Sequence, residues 1–590
     1  MNYNIFADLQ KDIQSFDNDI VTIASTSDEN SVRYASTKTG GYLYSQKKVL
    51  NLIDLYYNSK FETGITDSEG MRKTFLNVCK FRADVAAKQT DLDVKNYVFI
   101  PDSPQYQWKT FFMARKFQLW TRDNDYGQLL NDLNKDYSKY GTCVTKRVGK
   151  RVERVPLRNL RVTQTAKSLK EAVYGGGYVI EEHEYSEYEL KAFKYWDSEG
   201  MTYNDDGKCK VYERYALYPR SYVEMMNGRE SNDDTLVPAM AIVAPFKKTK
   251  KPDGKILFIE EAEPSYAEAH WDKQDGRWLG IGEIENQFEN QIARNFTANM
   301  RRRALLWGSK KIYQSTDDLT AKNLVRNVRD GEILKVGPNG AISQVNTGSQ
   351  NLAEYSADEA MWEKNSDQKS FTFEVATGEA LPSGTPFRLG VILSNSVASH
   401  FALKRQNFGL FLTRSFYNQL IPIFKKETKD HNVSIAAGAE GYEMLKESLV
   451  EYLSIQNMKR NLLAGNDFNP EEVKAKAEKE ISREHRLFIN IPAGFYDDAK
   501  FQMELDITGE SYDKKEQIET LTTLYTSMVQ RQDPRAEKVL SLILSKTGKN
   551  LEAILGKDGP QQINPQAIQG ALQSTQSPLS ALPQLNGTPA

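Results

Sequence analysis

Apolar residues change their spacing several times along the chain, and each change predicts a different kind of element. Val49, Leu50, Leu52, Ile53, Leu55 and Tyr56 give an amphipathic helix over about 46–60. Aromatic-rich helical stretches follow through Phe111, Phe112, Phe117 and Trp120, then Tyr126, Leu130 and Leu133. The period then shortens. Cys143-Val-Thr-Lys-Arg-Val-Gly-Lys-Arg-Val-Glu-Arg-Val-Pro156 reads as two short strands turning at Gly149-Lys150. Its basic residues fit a solvated hairpin face better than a phosphate site. Further strands are expected over 210–218, 239–245 and 255–260.

In the middle third, Ile284, Phe288, Ile292, Phe296 and Met300 recur at i, i+4 and predict a helix over 280–303. Short β segments follow at 311–313, 331–337 and 341–345, with a turn at Pro338-Asn339-Gly340. A second helix is expected over 351–373, then a Gly/Pro-rich loop. Thr385 and Pro386 suit the N-cap and first position of a very long helix. Its buried face should carry Phe401, Phe408, Leu412, Phe416 and Leu420, and it should end near 422–426. The last third reads as helical (442–463, 470–486, 514–532, 536–555) with one β pair formed by 487–491 and 501–507. After Asp558 no residue is charged, and the Gln/Pro/Ser/Asn-rich segment 559–590 reads as a flexible tail.

Composition fits a globular chain: 590 residues, 39% hydrophobic, 26% charged and 11% aromatic. A net charge of -2 gives no global attraction to nucleic acid or acidic membranes, so any electrostatic function needs local segregation of charge. Three cysteines far apart in sequence imply no disulfide framework and suit a reducing compartment. The N-terminus lacks the basic and apolar regions of a secretory signal, and no apolar run approaches ~18 residues. A soluble protein made inside the cell, without membrane contact, is expected.

Catalytic signatures are missing from the sequence. No Gly-x-x-x-x-Gly-Lys-Ser/Thr string is present; Thr547-Gly-Lys-Asn lacks its first glycine and final hydroxyl. Tyr174-Gly-Gly-Gly-Tyr178 lacks dinucleotide-binding spacing and reads as a loop between strands. His183, His270, His400, His431 and His485 are scattered, and no Cys-x-x-Cys occurs, so no metal and no cofactor is expected. Glu181-Glu182-His183-Glu184 suggests ligands. On a strand, however, neighbours face opposite ways, and a solvated charged edge is the expectation.

Charge is segregated locally. The stretch 351–374 holds six acids (Glu354, Asp358, Glu359, Glu363, Asp367, Glu374) against Lys364 and Lys369, a balance of -4. The stretch 388–426 holds Arg388, Lys404, Arg405, Arg414, Lys425 and Lys426 with no acid, a balance of +6. Either the two attract within one chain, or they give complementary faces to neighbouring copies. Arg301, Arg302 and Arg303, with Lys310 and Lys311, form the densest basic cluster. A helix C-terminus attracts cations in any case; contact with phosphates or an acidic partner is the other reading.

The order helix, small β insert, helix, Gly/Pro loop, very long helix resembles the core of portal proteins of tailed bacteriophages. Arg277-Trp-Leu-Gly-Ile-Gly-Glu followed by Asn286-Gln-Phe-Glu-Asn-Gln-Ile-Ala-Arg-Asn resembles that family's lead into its first stem helix. Asp136-Tyr-Ser-Lys-Tyr-Gly-Thr-Cys-Val and Val155-Pro-Leu-Arg-Asn-Leu-Arg-Val are similar to the wing pattern of the larger portals of short-tailed phages. Ile507-Thr-Gly-Glu and Lys514-Lys-Glu-Gln-Ile-Glu-Thr-Leu resemble crown-side segments. The likeness spans about 136–532 and rests on element order.

The resemblance implies an α+β fold: a mixed wing (1–279), a first stem helix (280–303), a β clip (304–349) and a second stem helix (350–374). A tunnel loop (375–387), a long wing helix (388–430), a C-terminal wing and crown region (431–558) and the tail (559–590) complete it. It further implies a non-enzymatic ring of about twelve subunits at one capsid vertex. Double-stranded DNA would pass through that ring in the virion, and terminase, major capsid protein and tail or adaptor proteins would be partners. Channel candidates are Lys369, Glu379, Leu381, Pro382, Ser383 and Arg388. Stem and clip contacts are Arg301, Arg302, Arg303, Lys310 and Lys311. The loop carries Glu379 and no lysine, so a slippery path is expected rather than a gripping one, because each phosphate contact adds affinity. Another virion protein (adaptor or internal), or a metal-dependent nucleic-acid-processing enzyme, are the alternatives.

Overall fold

The computed structural model describes residues 3–18, 21–24, 41–67, 70–101, 107–199, 201, 203–246, 253–309, 312–315, 342–345, 352–372, 387–429, 433–436, 438–464, 469–483, 488–491, 501–505, 521–525 and 527–528. The fold is α+β. Contacts divide the chain into Met1–Ile507 and Thr508–Ala590. In the second unit, 521–525 and 527–528 are helical. The segments 331–340, 375–386, 536–555 and 559–590 lie outside the described residues.

Helix α1 (Ile5–Asn18) precedes the paired strands β1 (Val21–Ala24) and β2 (Gly41–Tyr44), then α2 (Gln46–Tyr57) and α3 (Cys79–Gln89). Strand β3 (Tyr97–Pro101) leads to α4 (Gln107–Asp123) and α5 (Tyr126–Tyr140). Next come β4 (Thr142–Val148), β5 (Arg151–Arg154), β6 (Leu160–Val162), α6 (Leu169–Tyr174), β7 (Tyr178–Ser186) and α7 (Glu187–Ala192). Strand β8 (Lys208–Pro219), α8 (Arg220–Met226), β9 (Leu236–Pro245), β10 (Gly254–Glu261) and β11 (Tyr266–His270) finish the β-rich part.

Consecutive strands pair. The order β10-β9-β8-β7-β6 makes an antiparallel meander, and β11-β4-β5 a second sheet. The β4–β5 turn falls at Gly149, whose φ of 59° is one that glycine adopts without a Cβ clash. Helix α1 lays Ile5, Leu9 and Phe16 on Ile180, Tyr218, Ala239 and Val243 of the meander. Arg214 of β8 anchors it, donating from Nε and Nη2 to Asp12 at 2.9 and 2.7 Å.

The helix expected over 280–303 runs as α9 (Glu283–Asn286) and α10 (Phe288–Ser309), six residues beyond the predicted end. Strands β12 (Ile312–Ser315) and β13 (Ile342–Val345) pair antiparallel, and α11 (Leu352–Ser370) follows. Helix α12 (Phe387–Ser415) continues through a π turn, Phe416–Leu420, into α13 (Ile421–Lys429). Pro422 has no N–H for residue 418, and the widened turn just before it keeps the helix going instead of ending it there. The predicted face is buried: Phe401, Phe408, Leu412, Phe416 and Leu420 are each 0–1% exposed.

Beyond it lie β14 (Val433–Ala436), α14 (Gly438–Leu463), α15 (Pro470–Arg483), β15 (Phe488–Ile491) and β16 (Phe501–Leu505). The single β pair expected here does not form. Strand β15 pairs with β14, and β16 pairs with β3 from the N-terminal third. Met503 and Leu505 thereby enter the core around Phe117 and Phe416.

Candidate functional site

The string Arg277-Trp-Leu-Gly-Ile-Gly-Glu is where the N-terminal elements hold the base of α10. Arg277 is 1% exposed. It donates to both Glu285 oxygens at 2.8 and 2.9 Å and to the carbonyls of Leu279 and Gly280 at 2.7 and 3.1 Å. Its guanidinium also lies 4.3 Å from the Tyr44 ring centroid. Trp278 Nε1 donates to Glu268 at 2.7 Å. The glycines are there because backbones touch. A Cβ on Gly141 would sit 2.4 Å from Gly282 N, and one on Gly280 would sit 2.2 Å from the Gly141 carbonyl oxygen. Gly141 also has φ 75°.

Beside this crossing Glu283 is buried, with Trp271 Nε1 donating to it at 3.0 Å. Burial pushes its carboxyl up to about 8, reinforced by Asp272 and opposed by the Lys404 ammonium.

From there α10 and α11 run in opposite directions. Gln287 meets Ser366 at one end, and Arg301 Nη1 meets Glu359 at 2.8 Å towards the other. Thr297 donates to Asp358 at 2.6 Å, and Arg294 lies 3.3 Å from Glu363. The contact is polar, with Gln287, Asn290, Ser366 and Ser370 buried. The apolar stripe read from the sequence divides: Ile284 and Phe288 are buried, but Phe296 is 65% exposed.

What sequence reading missed is an amide ladder on α10. Asn299, Asn295 and Gln291 accept from the backbone N–H groups of Thr74, Leu76 and Val78 at 2.8, 2.9 and 2.7 Å. Asn299 and Gln291 also donate back to the Thr74 and Leu76 carbonyls at 2.9 and 2.6 Å. An extended segment is thus bound along a helix by side chains at i, i+4 spacing, and that spacing of amides was the available signal.

Farther along, α10 and the stretches 61–63 and 71–73 line a groove of about 610 Å³ with Phe61, Met71, Ile292, Phe296, Met300 and Leu306. Of the basic cluster, Arg301 is paired with Glu359, and Arg303 lies 3.4 Å from Asp67. Arg302 donates to Thr74 Oγ1 and the Arg72 carbonyl at 2.6 and 3.2 Å while remaining exposed. Lys369 is exposed in the last turn of α11, and Arg388 lies in the first turn of α12. Lys310, Lys311, Glu379, Leu381, Pro382 and Ser383 lie outside the described residues.

Part of the segregated charge is used within one chain. The acids of α11 meet Arg294, Arg301 and Arg82, the last paired with Asp367. On α12, Lys404 pairs with Asp272, and Arg405 donates to the Gln89 carbonyl. Compared with known proteins, the chain matches no family profile and no curated sequence.

A second cluster corrects the sequence reading of Glu181-Glu182-His183-Glu184 as a solvated edge. The strand alternation is as expected: Glu182 faces Arg161 and Lys210, at 2.6 and 2.5 Å. The other side of β7 is covered. Glu181 lies directly opposite Glu213 of β8, both under 8% exposed. Like charges so placed repel. Lys146, from β4, bridges them, with Nζ 2.9 Å from Glu181 Oε2 and 2.5 Å from Glu213 Oε2. Burial alone would raise the Glu181 carboxyl, but His183 and Lys146 outweigh it and hold the group at about 2. Lys146 was read as part of a solvated hairpin face; it is buried instead.

Proposed function

We propose that the chain is a portal subunit, a non-enzymatic ring component through which double-stranded DNA enters and leaves a capsid. The observation that carries this reading is the two opposed helices α10 and α11, joined through a β pair and followed by the long α12. Two opposed helices with a mainly polar contact suit a channel wall. The exposed Glu354 and Glu363 of α11 would disfavour phosphate contacts and let DNA slide. The buried Arg277–Glu285 crossing would hold that wall to the β-rich part, and the groove beside Arg302 is the stem's contact surface for a partner protein. No helix among the described residues is long and apolar enough to cross a membrane.

The role of the loop before α12 is testable by deleting Leu381–Gly384. Rings should still assemble, while DNA packaging or retention by capsids fails. If assembly is lost in a chain that still folds, the loop does not have this role.

A further inference from the structure

We propose that Glu181, His183 and Glu213 form a binding site for a divalent transition ion of the zinc class. One ligand atom from each lies within 4.8 Å of the other two. His183 Nε2 is 3.4 Å from Glu181 Oε1 and 3.9 Å from Glu213 Oε2. Ligand atoms around a tetrahedral zinc, each about 2.0–2.1 Å from the metal, stand roughly 3.3 Å apart, so small side-chain adjustments close the set.

Two atoms here have no hydrogen bond of good geometry: His183 Nε2 and Glu213 Oε1. The Glu213 side chain is only 9% exposed, and it faces the Lys146 ammonium and the Tyr215 hydroxyl. An imidazole nitrogen facing carboxylate oxygens at these distances has either its own N–H proton or a metal ion between.

The remaining contacts leave one oxygen of each carboxylate off Lys146. Glu213 Oε2, the oxygen nearest His183, is held by the ammonium, so Glu213 must turn its Oε1 towards the ring to complete the set. Lys146 takes the Oε2 atom of both carboxylates, and Tyr266 donates to Glu181 Oε2 at 2.8 Å. Glu181 Oε1 is left towards His183. Lys146 and Tyr266 therefore act as the outer partners that orient carboxylate ligands. His183 stacks on Tyr185 with centroids 5.4 Å apart, which fixes its ring. Its side chain is 24% exposed while Nε2 itself is buried, so the edge of the ring is the approach to the cluster. One imidazole with two carboxylates favours zinc-like ions over magnesium or calcium. The nearby Lys146 ammonium, a like charge, keeps affinity modest. The ion would tie β7 and β8 to each other beside β4, a structural role independent of the portal reading.

The test is titration of the metal-stripped full-length chain with Co2+ and with Zn2+, followed by calorimetry and visible absorption. One ion per chain should bind, with a Co2+ band that Zn2+ abolishes. His183→Ala and Glu213→Gln should each weaken binding at least about 100-fold with unchanged circular dichroism. Glu184→Gln, on the opposite strand face, should bind as the unaltered chain does. Should Glu213→Gln fail to fold, His183→Ala at the open side of the cluster decides alone. Absence of uptake by the unaltered chain, or equal uptake by His183→Ala, overturns the site. The His183 ring would then meet the carboxylates through its own N–H.

Discussion

At Glu283 the fold holds a carboxyl group where charge is poorly solvated. Its folded pKa is pushed by burial from the ordinary 4.5 to about 8. The folded state therefore binds more protons than the unfolded chain between those values, and stability falls as pH rises across that window. Glu283→Gln keeps an acceptor for Trp271 and removes the ionisation. At pH 8 it should be more stable than the unaltered chain by on the order of 4 kcal/mol, and near pH 4.5 the gain should vanish. Urea unfolding at the two pH values measures it. Glu181 has the opposite sign. Its carboxyl is held at about 2, so its stabilising contribution is present above pH 4.5 and is lost as pH falls towards 2. Lys146→Met leaves two buried carboxylates facing each other and should cost about 3–5 kcal/mol at pH 7 in the same assay.

Among elements, the glycine crossing separates two kinds of substitution. Gly149→Ala has open space around its Cβ and only a φ of 59° to tolerate, costing about 1–2 kcal/mol. Gly141→Ala adds a backbone collision at 2.4 Å to its positive φ and should exceed that cost severalfold or prevent folding. Thermal unfolding of the two variants compares them directly. The same contrast marks what was legible in the sequence. The β4–β5 turn, strands β8, β9 and β10 of the meander and the buried face of α12 follow from local spacing and were readable. The pairing of β16 with β3 joins residues some 400 positions apart, and nothing local to either strand names its partner. The Glu181–Glu213 pair was missed for a related reason. Alternation says which side Glu181 faces, but not that β4 lies over that side. The amide ladder was overlooked because the apolar stripe of α10 drew the reading, although Phe296 on that stripe is exposed.

For the whole molecule, the surface left unused by these contacts is what matters. Phe296, Leu305, Leu306 and Trp307 of α10 are 65, 52, 40 and 43% exposed, next to the apolar groove. Apolar area of this kind on one helix commonly marks an interface. Within a ring reading, a heterologous contact between copies covers such a surface and closes on itself. The acids and bases of α10–α12 that pair within a chain narrow the electrostatic part of that contact to exposed groups such as Glu354, Arg302 and Arg414. Electron microscopy of the purified full-length chain tests the central claim most directly. Closed rings of about twelve copies around a central hole are predicted. Single copies under every condition, including mixtures with capsid and scaffold proteins, would contradict it.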